Sequence, residues 1–74
     1  MPDEKALLKQ TLARNMKKYR AKLDLTQELA AERAGFTVKY WQRLEMISQT
    51  DLPSLPALAK IAKALGIKIH RLFL

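Results

Sequence analysis

Leu8, Leu12, Met16, Tyr19 and Leu23 recur at steps of four and three residues, the spacing that aligns side chains along one face of an α-helix. Leu55, Leu58, Ile61, Ala62 and Leu65 repeat with the same period. No segment alternates apolar and polar residues with the period of two that a half-buried strand requires, so the pattern predicts an all-α fold. In the first segment Lys9, Lys17, Lys18 and Lys22 fall off the apolar stripe and are expected in solvent. Asp3 suits the positive end of a helix, and Pro2 is harmless before the first turn. A long amphipathic helix over 4–23 follows.

Asp24-Leu25-Thr26 interrupts that period. Thr26 can cap a second helix, 26–33, through its hydroxyl, with Glu28 adding charge complementary to the helix start. Ala30, Ala31 and Ala34 present a flat face to which another helix can come close, and Gly35 is free to take the left-handed conformation that ends a helix. Thr37 caps again, and Trp41 and Leu44 supply an apolar pair in a third helix, 37–45. Residues 26–45 therefore read as a helix-turn-helix. Residues 46–54 form a loop, Ser54 caps a fourth helix over 55–65, and Gly66 stops it. Ile67, Ile69, Leu72 and Phe73 are expected to close the underside of the core from a final short turn or helix, 68–73, which as a fifth helix completes a compact five-helix bundle.

A chain of 74 residues makes one domain, 1–74, with a thin core, which excludes most large catalytic architectures. It has no cysteine, so disulfide frameworks and thiolate metal sites are excluded and a reducing compartment is favoured. Hydrophobic content of 49% is too high for a disordered tail. No apolar run approaches the ~18 residues of a membrane span, and the polar start lacks a signal-peptide stretch. A soluble, cytoplasmic protein is expected.

The formal net charge is +7, and a surplus of that size on a small body attracts polyanions, nucleic acid among them, although it also serves solubility. Its distribution is uneven. Residues 1–23 are net +5, residues 24–55 net −2 and residues 56–74 net +4. Catalysis finds little support. His70 is the sole histidine and lacks partners for a metal site. Asp3, Glu4, Asp24, Glu28, Glu32, Glu45 and Asp51 show no pairing suited to acid–base work, and no glycine-rich phosphate loop occurs. A non-enzyme without cofactor or metal is expected.

The run Leu25-Thr-Gln-Glu-Leu-Ala-Ala-Glu-Arg-Ala-Gly35, then Lys39-Tyr-Trp-Gln-Arg-Leu-Glu45, Pro53-Ser-Leu and Lys60-Ile-Ala-Lys-Ala-Leu-Gly66, resembles the Cro/phage-repressor (xenobiotic-response-element) class of helix-turn-helix transcriptional regulators. The resemblance extends from about Leu12 to Phe73 and implies a lambda-repressor-like domain whose third helix enters the DNA major groove, usually as a dimer on two half-sites. By angle, Thr37, Trp41 and Leu44 should face the core, with Val38 and Tyr40 at the boundary. Lys39, Gln42, Arg43 and Met46 lie opposite. Arg pairs with guanine O6/N7, Gln with adenine N6/N7, and Val touches a thymine methyl; the alternative is an ordinary solvated helix face. The residues expected to bind DNA are Gln27, Thr37, Val38, Lys39, Tyr40, Gln42 and Arg43. The resemblance further implies that Gln27 braces the phosphate backbone and the third helix together, and that Arg20 and Glu45 form a structural ion pair between the first and third helices. Trp41, replacing a usual aliphatic residue, is expected to fill the core, its indole N–H then needing a partner.

The sequence also departs from that class. Met46 to Leu52 is longer by about two residues, lacks the usual glycine and carries no cation. Leu29 occupies a commonly polar position, Asp24 stands where glycine is common, and Lys68 where a small capping residue is expected. The cation-free loop, Leu29 and the apolar tail suggest, as an alternative, a protein-interaction module with a partner at Ile47, Leu52 or Phe73. A sequence-specific regulator, as a repressor and a homodimer on double-stranded DNA, remains the leading expectation; nonspecific coating of nucleic acid is a weaker third.

Overall fold

The computed structural model describes residues 3–49 and 51–74; Pro2, named in the sequence reading, and Thr50, within the expected loop over 46–54, lie outside the described residues. Among the described residues, four α-helices succeed one another: α1 (Glu4–Lys22), α2 (Gln27–Ala34), α3 (Val38–Leu44) and α4 (Leu55–Leu65). A 3-10 helix, Ile69–Phe73, follows. No strand occurs among the described residues, as the periodicity predicted.

Side chains cap the start of each α-helix where the sequence offered one. The oxygens of Asp3, Thr26, Thr37 and Ser54 accept from the backbone N–H groups of Lys5, Leu29, Tyr40 and Ala57, satisfying donors that have no partner inside the helix. Thus Thr26 and Thr37 flank α2 and α3 rather than forming their first turns. Gly35 and Gly66 end α2 and α4 with φ of 76° and 68°, and a Cβ added at either would meet nothing within 4 Å. The requirement for glycine is therefore one of backbone conformation alone. Asp24, in the turn between α1 and α2, adopts φ 56° without being glycine.

The expected fifth α-helix over 68–73 is instead the five-residue 3-10 helix. Lys68 precedes it without a side-chain cap, and a segment this short gains little from α-helical bonding. Three-residue steps suffice to turn Ile69 and Leu72 toward the core together. Asn15 of α1 supports the end of this segment, its amide donating to the carbonyls of Leu72 at 2.9 Å and Leu74 at 3.1 Å.

The core gathers Leu12 and Met16 from α1, the three alanines of α2, Trp41 and Leu44 from α3, Leu58, Ile61 and Leu65 from α4, and Leu72. α2 packs against both α3 and α4, while α1 packs against α4 and the 3-10 helix. The inward face of α1 departs from the predicted stripe. Leu8 and Leu23 are exposed, whereas Lys9, expected in solvent, is 1% exposed and sits in the same row as Leu12, Ala13 and Met16. Apolar periodicity located the helix but missed its rotation, because the row beside the leucines includes a lysine whose ammonium finds partners inside the fold.

Candidate nucleic-acid interface

The close approach of α2 to α3 rests on Ala30, Ala31 and Ala34, which are buried and leave no bulk between the helices. α3 then turns Trp41 and Leu44 inward, at 0% and 4% exposure, and leaves Val38, Lys39, Gln42 and Arg43 on the outer side. Tyr40 is half-buried, its ring meeting Phe36 edge-on with centroids 4.9 Å apart. Thr37, expected to face the core, is exposed. Its hydroxyl must stay at the helix start to accept from the Tyr40 N–H at 3.1 Å, so the angle projected from a continuous helix does not apply to it. Six of the seven residues expected to bind DNA thus gather on or beside α3, and Gln27 joins them from the start of α2.

At the end of α3 the carboxylate of Glu45, only 2% exposed, organises both helices. Arg20 of α1 donates to it through Nε at 2.8 Å and Nη2 at 3.0 Å. Gln27 donates through Nε2 at 2.9 Å, and the Trp41 indole N–H at 2.6 Å. The Arg20–Glu45 ion pair is therefore present, and the partner required by the buried indole is Glu45. Burial alone would raise the Glu45 pKa, but hydrogen bonds from Arg20, Gln27 and Trp41, with the Arg20 charge, outweigh it and hold the carboxyl below the usual carboxylate range. Gln27 also accepts from the Gln42 amide at 3.3 Å. A chain of polar contacts thus links α1 to an outer side chain of the third helix.

Sequence reasoning missed the second clamp. The Lys9 ammonium donates to the carbonyls of Leu44 at 2.7 Å, Met46 at 2.8 Å and Arg43 at 3.4 Å. Burial is the main cause that lowers its pKa, repulsion from Lys17 adds to it, and Asp51 opposes both. A cation here complements the negative end of α3 and satisfies carbonyls that α2 and α4 dispose of with a left-handed glycine. α3 instead ends at Glu45 with φ −84°. The missing glycine after Glu45 was the available signal: a helix end without one needs another donor.

The loop after α3 contributes apolar surface and one acid. Met46 and Ile47 are exposed, Leu52 is half-buried, and Leu29 of α2 is 48% exposed. Met46, Ile47 and Ser48 line an open groove with Lys17, Gln27 and Gln42. On the other flank Asp51 approaches Arg43 to 3.9 Å, both side chains remaining well exposed. An exposed pair at that distance holds Arg43 weakly, by about 0–1 kcal/mol. Among the described residues no helix is long and apolar enough to cross a membrane.

A family model described as "Helix-turn-helix domain" matches residues 11–72. No curated protein sequence matches the chain. Among solved structures the chain is similar to a hypothetical transcription factor, NHTF, from Neisseria, with 30% identity over 100% of this chain and 82% of that one, at a TM-score of 0.84. Two crystal structures of the clp gene regulator ClgR from Corynebacterium glutamicum are also similar, each 25% identical over 88% of this chain, covering 82% and 67% of theirs at TM-scores of 0.76 and 0.78. With most of its length matched and its α2–α3 pair built as described, the chain belongs to the helix-turn-helix domain family.

Proposed function

We propose that this protein is a sequence-specific DNA-binding transcriptional regulator of the Cro/phage-repressor class, acting as a repressor by occluding its operator. The observation that carries this reading is the sidedness of α3: Trp41, Leu44 and Glu45 are buried while Val38, Lys39, Gln42 and Arg43 are presented outward. Arg43 and Gln42 are suited to guanine and adenine edges and Val38 to a thymine methyl. Family membership and the similarity to two transcription regulators support a regulator over a catalyst. A homodimer would set two α3 helices on half-sites about 34 Å apart.

Titration of duplex DNA across salt tests the reading. Phosphate neutralisation makes affinity fall steeply between about 50 and 200 mM salt; a flat response contradicts it. A second reading, a protein-interaction module that has lost base reading, is favoured by the exposure of Leu29, Met46 and Ile47. It predicts that Ile47→Ser abolishes partner binding while Arg43→Ala changes nothing, the reverse of the first reading's expectation for duplex DNA.

A further inference from the structure

The segment that carries α2 and α3 is net negative, while the positive charge belongs to the two ends of the sequence. The fold brings those ends together, because α1 packs against the 3-10 helix. Between them lies an open groove of about 460 Å³ lined by Tyr19, Gly66, Ile67, Lys68, His70 and Arg71. Lys18 and Lys22, one helical turn apart, each hold their ammonium 5.3 Å from the centre of the Tyr19 ring. Among the described residues, no acidic side chain lines the groove. Among the described residues, none of these cations is in an ion pair. None of the described residues of α2, α3 or the loop after α3 lines it.

We propose that this groove is a second polyanion-binding face that grips the phosphate backbone of nucleic acid without reading its sequence. The proposal deepens the regulator reading, since it assigns the charge of the chain's ends a role separate from that of α3. Lys68 and Arg71 in the groove, with Lys18 and Lys22 over the Tyr19 ring that lines it, are a source of counterion release on binding phosphates. Both α1 ammonium groups lie within cation–π reach of the Tyr19 ring. Nucleic acid is favoured over an acidic protein because the apolar side chains of the lining, Tyr19 and Ile67, are half-buried while Lys68 and Arg71 are exposed, whereas protein interfaces concentrate exposed apolar anchors at their centre.

The test is a nuclear magnetic resonance titration of the isotope-labelled chain with a random-sequence duplex of 20 base pairs. Amide shifts at residues 18–22 and 67–71, together with those of α3, are expected. Shifts confined to α2 and α3 overturn the groove and leave the regulator reading standing. Shifts confined to the groove overturn the regulator reading and keep the groove, and no shift anywhere overturns both. As a second arm, the double variant Lys18→Ala, Lys22→Ala, at exposed positions of α1, should reduce the slope of log affinity against log salt by about 2 without altering sequence preference; an unchanged slope contradicts the proposal. A polyglutamate peptide that moves the groove amides at least as strongly as the duplex, at equal charge concentration, would assign the face to an acidic protein instead and overturn it.

Discussion

The ammonium of Lys9 lies 2.7 Å from the backbone carbonyl of Leu44, so the first half of α1 serves as the cap at the end of α3. Arg20, three turns further along α1, grips the same helix end through Glu45. Two contacts of the same sense, a cation on carbonyls and a cation on a carboxylate, hold the angle of α3 against the rest of the domain. Lys9→Met keeps an unbranched apolar stem, one atom shorter, and removes the donor. It should cost about 1–3 kcal/mol by leaving buried carbonyls unsatisfied, lowering the thermal midpoint by about 4–8 °C per kcal/mol in a domain of this size. Lys18→Met, on the exposed side of the same helix, should stay within about 0.5 kcal/mol. Equal effects from the two substitutions, measured by denaturant unfolding, would remove the cap from this account.

Glu45 predicts an acid-dependent component of stability. Its folded-state pKa lies below its ordinary value, so its contribution is fully present above the unfolded carboxyl's value, about 4.3, and is lost as pH falls through the lower folded value. Glu45→Gln removes that contribution. The stability difference between wild type and Glu45→Gln should therefore be largest near neutrality, at about 3–5 kcal/mol for a broken buried pair, and shrink in acid. The other carboxylates are common to both chains and cancel. A difference that does not change between pH 7 and pH 3 would show that the carboxylate is not held by its partners.

Asp51 stands close enough to Arg43 to compete weakly with a base edge. Asp51→Asn removes a negative charge beside the outer face of α3 and frees the guanidinium. Duplex affinity should rise by about threefold to fivefold, in keeping with an exposed pair worth up to about 1 kcal/mol. Reduced affinity in a fluorescence anisotropy titration would mean that Asp51 positions Arg43 for binding rather than restraining it.

Asp24 holds a left-handed conformation that glycine adopts at no steric cost. Asp24→Gly should raise stability by about 0.5 kcal/mol, a net of relieved strain against the added freedom of the unfolded chain. Calorimetry reads the effect as a thermal midpoint higher by about 2–4 °C, and a lower midpoint would show that the carboxylate itself supports the turn.

The helices were legible because their ends are local: Thr26, Thr37 and Ser54 cap, and Gly35 and Gly66 stop, through bonds within a few residues. The Glu45 cluster was legible in part, since the family resemblance implied the Arg20–Glu45 pair and the buried Trp41 indole needed a partner. Lys9 was not. Its partners lie 34 to 37 residues away, and its charge argued for solvent in any reading based on hydropathy. Thr37 was misplaced because a cap residue leaves the helical screw. The last segment was overcredited because its apolar spacing fits a 3-10 helix as well as an α-helix.

The central claim, that the outer side of α3 reads base edges, is tested most directly by selecting bound sequences from a random duplex pool with wild type and with Arg43→Ala. The account predicts an enriched motif for wild type and, for the variant, loss of preference at one position by about 1–3 kcal/mol with the remaining positions retained. A pool that stays unenriched, or a motif that is the same for both proteins, would contradict it.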